Sequence, residues 1–249
     1  MDSSAYEAMY ALQSRHWWWR GMSWLYNTAL HTFLPASKGE SRRLIDIGCG
    51  FGTNLPILNA LGDVVGVDVS LEALQAIQQR PRLGLVQARA DALPFKPRSF
   101  DVVALLAVIE HVDRDDTVLS EAHRIARPGA IQLLNTSAFM VLWSHHDLAN
   151  QHRRRYRVAQ LRLMQAAAGW RVLVISYVNT LIFPAVLVVR LLQRLAKKHD
   201  EAEYDMGPEF RPLNAFLEIV LKLESWLILK GHMPMPWGVD IISVSRRDD

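Results

Sequence analysis

Short runs of apolar and β-branched residues recur along this chain, separated by stretches whose apolar positions repeat at helical spacing. The runs are RLIDIGC at 43–49, VVGVDVS at 64–70, LGLVQARA at 83–90, DVVALLAV at 101–108, AIQLLNTSA at 130–138 and RVLVISYV at 171–178, with DIISVSRR closing the series at 240–247. Helical spacing occupies 53–61, 71–80, 113–127 and 157–168. Strands apolar at nearly every position have no face to give to water, so they are predicted to form a mostly parallel sheet with helices on both faces. Ligands of such doubly wound α/β sheets sit beyond the carboxyl ends of the strands.

Composition permits this. The chain has 249 residues, half of them hydrophobic and 21% charged, enough for one globular domain with room for an insertion. Because 28 Lys and Arg face 25 Asp and Glu, the net charge is only +3 and a general nucleic-acid surface is not implied. Cys49 is the single cysteine, which excludes an intrachain disulfide. The opening MDSSAYEAMY lacks the basic start and apolar run of a signal peptide, so the protein is expected to be cytoplasmic.

The first strand runs into a loop, LIDIGCGFGTN at 44–54, with glycine at 48, 50 and 52. Glycines in a first βα turn let a nucleotide-like ligand approach the backbone, and an acid about 20 positions on can accept from a ribose diol. Asp68 is that acid. The G-x-G-x-x-G spacing of dinucleotide sites would need glycine where Thr53 stands, which counts against a nicotinamide oxidoreductase.

The succession DIGCGFG, VDVS, ADALPF and FDVVALLAVIEHV resembles the class I S-adenosylmethionine-dependent methyltransferases of the methyltransferase-11 type, over roughly residues 5–180 and the last strand. The resemblance implies a Rossmann-like, seven-stranded, mostly parallel sheet with an antiparallel last strand. It also implies S-adenosylmethionine as cofactor, leaving as S-adenosylhomocysteine. It places Asp46, Gly48, Cys49, Gly50, Gly52 and Asn54 along the cofactor's methionyl part, Asp68 and Val69 at the ribose, Asp91, Ala92 and Leu93 at the adenine, and Leu106 and Ala107 at the end of strand four. Members often open with a segment like HWWWRGMSWLY at 16–26, folded over the cofactor mouth; by that likeness Trp19 and Arg20 form a lid and Trp18 faces the acceptor. Glu110 and His111 match an E-H pair close to the transferable methyl group. In relatives that bind a divalent metal the pattern is E-x-x-E-H, and Ala107 replaces its first glutamate, so no metal is expected.

After strand five, histidines at 145, 146 and 152 flank Asp147. His111, His146 and His152 are the candidates for a general base, with Asp147 as an orienting partner. Trp143, Arg155 and Tyr156 join Trp18 and Glu110 as acceptor contacts, and Arg153, Arg154, Arg155 and Arg157 could hold an anionic acceptor group. With Tyr156 the one aromatic among them, nucleic acid is not an expected partner.

Residues 179–238 read as a helical insertion between the core (41–178) and its last strand (239–249), while 1–40 reads as the helical lid. In the first inserted helix Arg190, Arg194, Lys197 and Lys198 oppose Val188, Leu191, Leu192 and Leu195; in the second, Glu218, Lys222 and Ser225 form a polar stripe. Neither apolar stretch suffices to span a bilayer. Three uses stay open: contact with a membrane surface, enclosure of a greasy acceptor, or packing on each other and a dimer mate. The expected function is methyl transfer to oxygen, nitrogen or carbon of a small or lipid-like acceptor. A non-catalytic cofactor-binding scaffold is the alternative.

Overall fold

A computed structural model describes residues 15–35, 41–78, 83–195 and 211–248. Seven strands form one sheet in the order β3-β2-β1-β4-β5-β7-β6. They are β1 (Arg42–Ile47), β2 (Gly62–Asp68), β3 (Leu83–Gln87), β4 (Phe100–Leu106), β5 (Ala126–Ser137), β6 (Trp170–Val178) and β7 (Asp240–Arg247). Strand β7 is antiparallel to both its neighbours, and the pairs among β1 to β5 are parallel, as expected from the sequence.

The central strands alternate their side chains between two buried clusters. Val102 and Ala104 of β4 face one, Val103 and Leu105 the other. Helices α1 (Trp17–Phe33), α2 (Leu55–Asn59), α3 (Leu71–Ile77) and α8 (Arg211–Leu229) cover the first face. Helices α4 (Asp115–Ile125) and α6 (Val158–Ala167) cover the second. Two further helices, α5 (His145–Ala149) and α7 (Phe183–Leu195), follow β5 and β6.

The sequence carries several strands too far, three of them most plainly. Residues 48–49, 69–70 and 88–90 have left the ladder and form loops at its carboxyl edge, because there they answer to the crevice instead of to a neighbouring strand. Strand β5 begins at Ala126, earlier than the apolar run predicts. Its pairing with β4 skips from Phe100–Ala126 to Val102–Ile131, and Arg127 closes the bulge by donating to both Asp101 carboxylate oxygens.

Helix α1 is part of the core: Met22, Leu25, Tyr26, Ala29 and Leu30 are buried, and Trp17 and Trp18 pack against the same cluster. Its partner is α8, which buries Leu221, Ile228 and Leu229. A Cβ on Gly21 would overlap Leu221 Cδ2, so this glycine sets how closely the two helices approach. The expected polar stripe on α8 is divided. Glu218 pairs with Arg20 and Lys222, whereas Ser225 is buried and donates to the Leu221 carbonyl. Of the sequence expectations, residues 1–14 and 36–40 of the lid, residues 79–80 of the helix expected at 71–80, and Lys197 and Lys198 lie outside the described residues.

Candidate active site

A cavity of about 490 Å³ opens at the carboxyl edge of β1, β2 and β4. Its walls include Gly48, Asp68, Val69, Asp91, Ala107 and His111. The glycine loop is fastened to β2: the Gly48 and Cys49 amides donate to the Val67 carbonyl at 2.7 and 2.9 Å. Asp68 then accepts from the Gly50 amide at 2.8 Å with one oxygen and from the Ser70 amide at 2.8 Å with the other. Gly48 has φ +72°, and a Cβ there would lie 2.6 Å from Val108 Cγ2, so its glycine answers to the backbone and to β4's end. Gly50 differs: at φ +49°, nothing stands within 4 Å of where its Cβ would be, and the space beside the loop stays open. Cys49 sets its sulfur against Gly66 and is absent from the cavity wall; burial pushes its thiol pKa up.

Asp46, at the end of β1, is buried, and its Oδ2 has no hydrogen-bond partner. Burial, and then the charge of Asp68, push its carboxyl up to about 7. Asp91 is held by Arg89, which donates through Nε and Nη2 at 2.9 and 2.7 Å and keeps the carboxyl below its ordinary range. Leu93 is buried, and its amide donates to Glu121.

At the far end of the cavity stands His111. Burial, and then the neighbouring His152, lower its pKa from the ordinary 6.5. The two rings meet edge-on with centroids 4.6 Å apart. His152 Nδ1 lies 2.9 Å from Asp147 Oδ1, which also receives Arg155 Nε at 2.7 Å. Burial alone would raise the Asp147 carboxyl, but hydrogen bonds from His152 and Arg155 hold it well below the usual range. Asp147 is thus the orienting partner expected from the sequence, and the histidine it orients is His152.

Several expected acceptor contacts have other partners. Arg155 is buried, with Nη1 donating to the Ala138 carbonyl at 3.0 Å. Tyr156 is buried, its hydroxyl 2.7 Å from Asp115 Oδ2. Glu110 is buried and turns toward β5, accepting from Thr136 Oγ1 at 2.7 Å. Arg154 binds Asp115, and Arg153 donates to the His111 carbonyl, so the arginine run straps its loop onto residues 109–115 instead of forming an open anion site. Arg20 is spent on Glu218, and Trp18 and Trp19 meet each other edge-on; these three are absent from the cavity wall, as is half-buried Trp143. His146 lies in α5. Glu110, His111 and His152 each place a ligand atom within 4.8 Å of the others, a donor set that could hold a cation. The sequence shows two of these three side by side and leaves the third 41 positions away.

Residues 45–134 match the family model described as a methyltransferase domain. A Mycolicibacterium smegmatis protein named a probable S-adenosylmethionine-dependent methyltransferase is 27% identical over 65% of this chain and 62% of its own length. A demethylmenaquinone methyltransferase of Renibacterium salmoninarum is 34% identical over 35% of this chain and 38% of its own. Among solved structures, a Haemonchus contortus phosphoethanolamine N-methyltransferase in complex with S-adenosylmethionine superposes with a TM-score of 0.56 at 19% identity, over 90% of this chain and 52% of the other. Residues 45–134 are thus a methyltransferase domain, on a fold shared with solved methyltransferases. The chain spans less than two thirds of the length of the curated relatives it matches.

The residues present fit this family's cofactor. Asp68 faces the cavity with acceptor capacity for a ribose diol, Val69 and Asp91 continue the same wall, and the unpartnered Asp46 oxygen lies behind the glycine loop. The cavity wall also includes Arg89, Val108, Asp113, Gln151 and Arg153, none singled out as cofactor contacts from sequence. Arg89 and Val108 follow strand ends and could have been found by that rule. Gln151 and Arg153 come from a distant loop whose docking the sequence does not show.

Proposed function

We propose that this chain transfers a methyl group from S-adenosylmethionine to a small or lipid-like acceptor bearing an ionisable hydroxyl or amine, with His111 receiving the acceptor's proton. The cofactor, when bound, supplies an electrophilic methyl group. The protein's part is to hold the acceptor in line and accept its proton. The observation that carries the reading is the position of His111, at the wall of the cavity that also holds Asp68 and Asp91, and backed by His152 and Asp147. Its lowered pKa keeps the imidazole neutral at neutral pH, the form that accepts a proton. The demethylmenaquinone methyltransferase among the relatives supports a quinone-type, lipid-like acceptor.

The test is radiolabelled methyl transfer from S-adenosylmethionine into an extract of the source cells, with the organic and aqueous phases counted separately. Transfer that falls on the acid side of pH 6.5 in wild type, and by roughly 10²-fold or more in His111→Ala, is expected. Cofactor binding by calorimetry without transfer to either phase would favour the scaffold reading, and full activity in His111→Ala would remove the base.

A further inference from the structure

Two thirds of the exposed large apolar side chains among the described residues lie between 179 and 238. On α8, Leu213, Phe216, Ile219, Leu223 and Trp226 follow one another at steps of three and four, which places them on one side of the helix. Phe216 is 55% exposed, Ile219 65%, Leu223 58% and Trp226 50%. The opposite side, through Leu221, Ile228 and Leu229, is in the core, so this stripe is what α8 presents outward. None of the described side chains of helix α7 is fully buried, and Val188, Val189, Leu191 and Leu192 are exposed on it. It packs on the turn Met140–Leu142, whose Met140 and Val141 are exposed too.

Among the described residues, the charges bordering these side chains are mainly cationic. Arg211 and Lys230 are exposed at the two ends of α8, and Arg190 lies half-buried on α7. The two carboxylates in the described part of this segment are engaged: Glu218 with Arg20 and Lys222, and buried Glu224 with Thr180. Between α1 and α8 a cavity of about 290 Å³ is lined by Trp24 and Trp226 and carries Lys230 and His31. Aromatic side chains beside an apolar face with cationic neighbours fit the boundary between lipid headgroups and acyl chains. A second copy of the chain fits less well, since an isologous contact would set the cationic border against itself. No described helix is long and apolar enough to cross a membrane, so such contact would lie in the plane of the surface.

We propose that the outward faces of α7 and α8 dock this protein on an anionic lipid surface. Both helices follow β6, whose carboxyl end lies at the sheet edge that carries the cofactor cavity. The proposal stands independently of which acceptor is methylated.

The test is co-sedimentation of the full chain with vesicles of phosphatidylcholine alone and of phosphatidylcholine with phosphatidylglycerol. Wild type should pellet with the phosphatidylglycerol vesicles, release in high salt and remain largely in solution with phosphatidylcholine alone. The double variant Phe216→Glu with Leu223→Glu should partition roughly a hundredfold less, and Lys230→Ala roughly fivefold less. Both variants should keep wild-type cofactor affinity by calorimetry, which shows that they fold. Absence of wild-type binding to either vesicle, or equal binding by a folded double variant, would overturn the proposal. So would a salt-stable dimer, by sedimentation velocity, that Phe216→Glu splits.

Discussion

Asp46 is a carboxylate placed where the empty protein gains nothing from its charge. It is buried, one oxygen has no partner, and its pKa stands near 7 against an ordinary 3.8. A raised folded-state pKa means the folded chain holds this proton more tightly than the unfolded one. Stability is therefore full below pH 3.8 and is lost as pH rises toward 7, by about 4 kcal/mol over that span. Asp46→Asn should reduce this slope: by urea unfolding the drop in stability from pH 5 to pH 8 should be smaller for the variant than for wild type, the rest coming from Asp240 and Glu224, whose carboxyls burial also raises. The same variant should bind S-adenosylmethionine more weakly by calorimetry, because a cationic ligand loses its anion. An unchanged slope would place the titration elsewhere. Asp147 is the opposite case, a buried carboxylate whose charge is fully used. Asp147→Ala strands the buried Arg155 guanidinium and should cost about 3–5 kcal/mol in urea unfolding.

At the scale of elements, the pairing of α1 with α8 joins segments about 200 positions apart, and it rests on the absence of a side chain. Gly21→Val should force the helices apart and destabilise the fold by about 1–3 kcal/mol, read from urea unfolding. A variant as stable as wild type would show that Leu221 gives way freely. This pairing also marks where sequence stops informing. Apolar periodicity places all seven strands and the helices between them, because each reports its own burial. It says nothing of which helix meets which. The sequence reads Trp18, Trp19 and Arg20 as a lid and Glu218 as part of a polar stripe, and gives no sign that Arg20 and Glu218 pair across α1 and α8. The loop from Ser144 to Tyr156 is the same problem at the site: the sequence offers Arg155 and Tyr156 as acceptor contacts, and does not show that Arg155 meets the Asp147 that holds His152 or that Tyr156 meets Asp115.

At the scale of the whole molecule, the cofactor crevice was legible because one strand end after another converges on it, and position along a parallel sheet is encoded in the order of the strands. Asp68 illustrates how that local site reaches the entire fold. Its carboxylate joins the glycine loop to β2 and the start of α3 through the Gly50 and Ser70 amides, and it is also the proposed ribose partner. A ligand that binds only the folded chain stabilises it by mass action, about 2.7 kcal/mol at a concentration a hundred times the dissociation constant. For a chain of 249 residues this is a rise in Tm of roughly 5–11 °C. Wild type should show that rise with S-adenosylmethionine and none with NAD, as scanning calorimetry would record. Asp68→Ala should lose most of it, since removing the carboxylate weakens binding by about 1–3 kcal/mol. Its Tm without ligand should also fall, because two loop amides lose their acceptor. A full ligand shift in that variant would separate the two roles, leaving Asp68 as a fastener of the loop and moving the ribose to another partner.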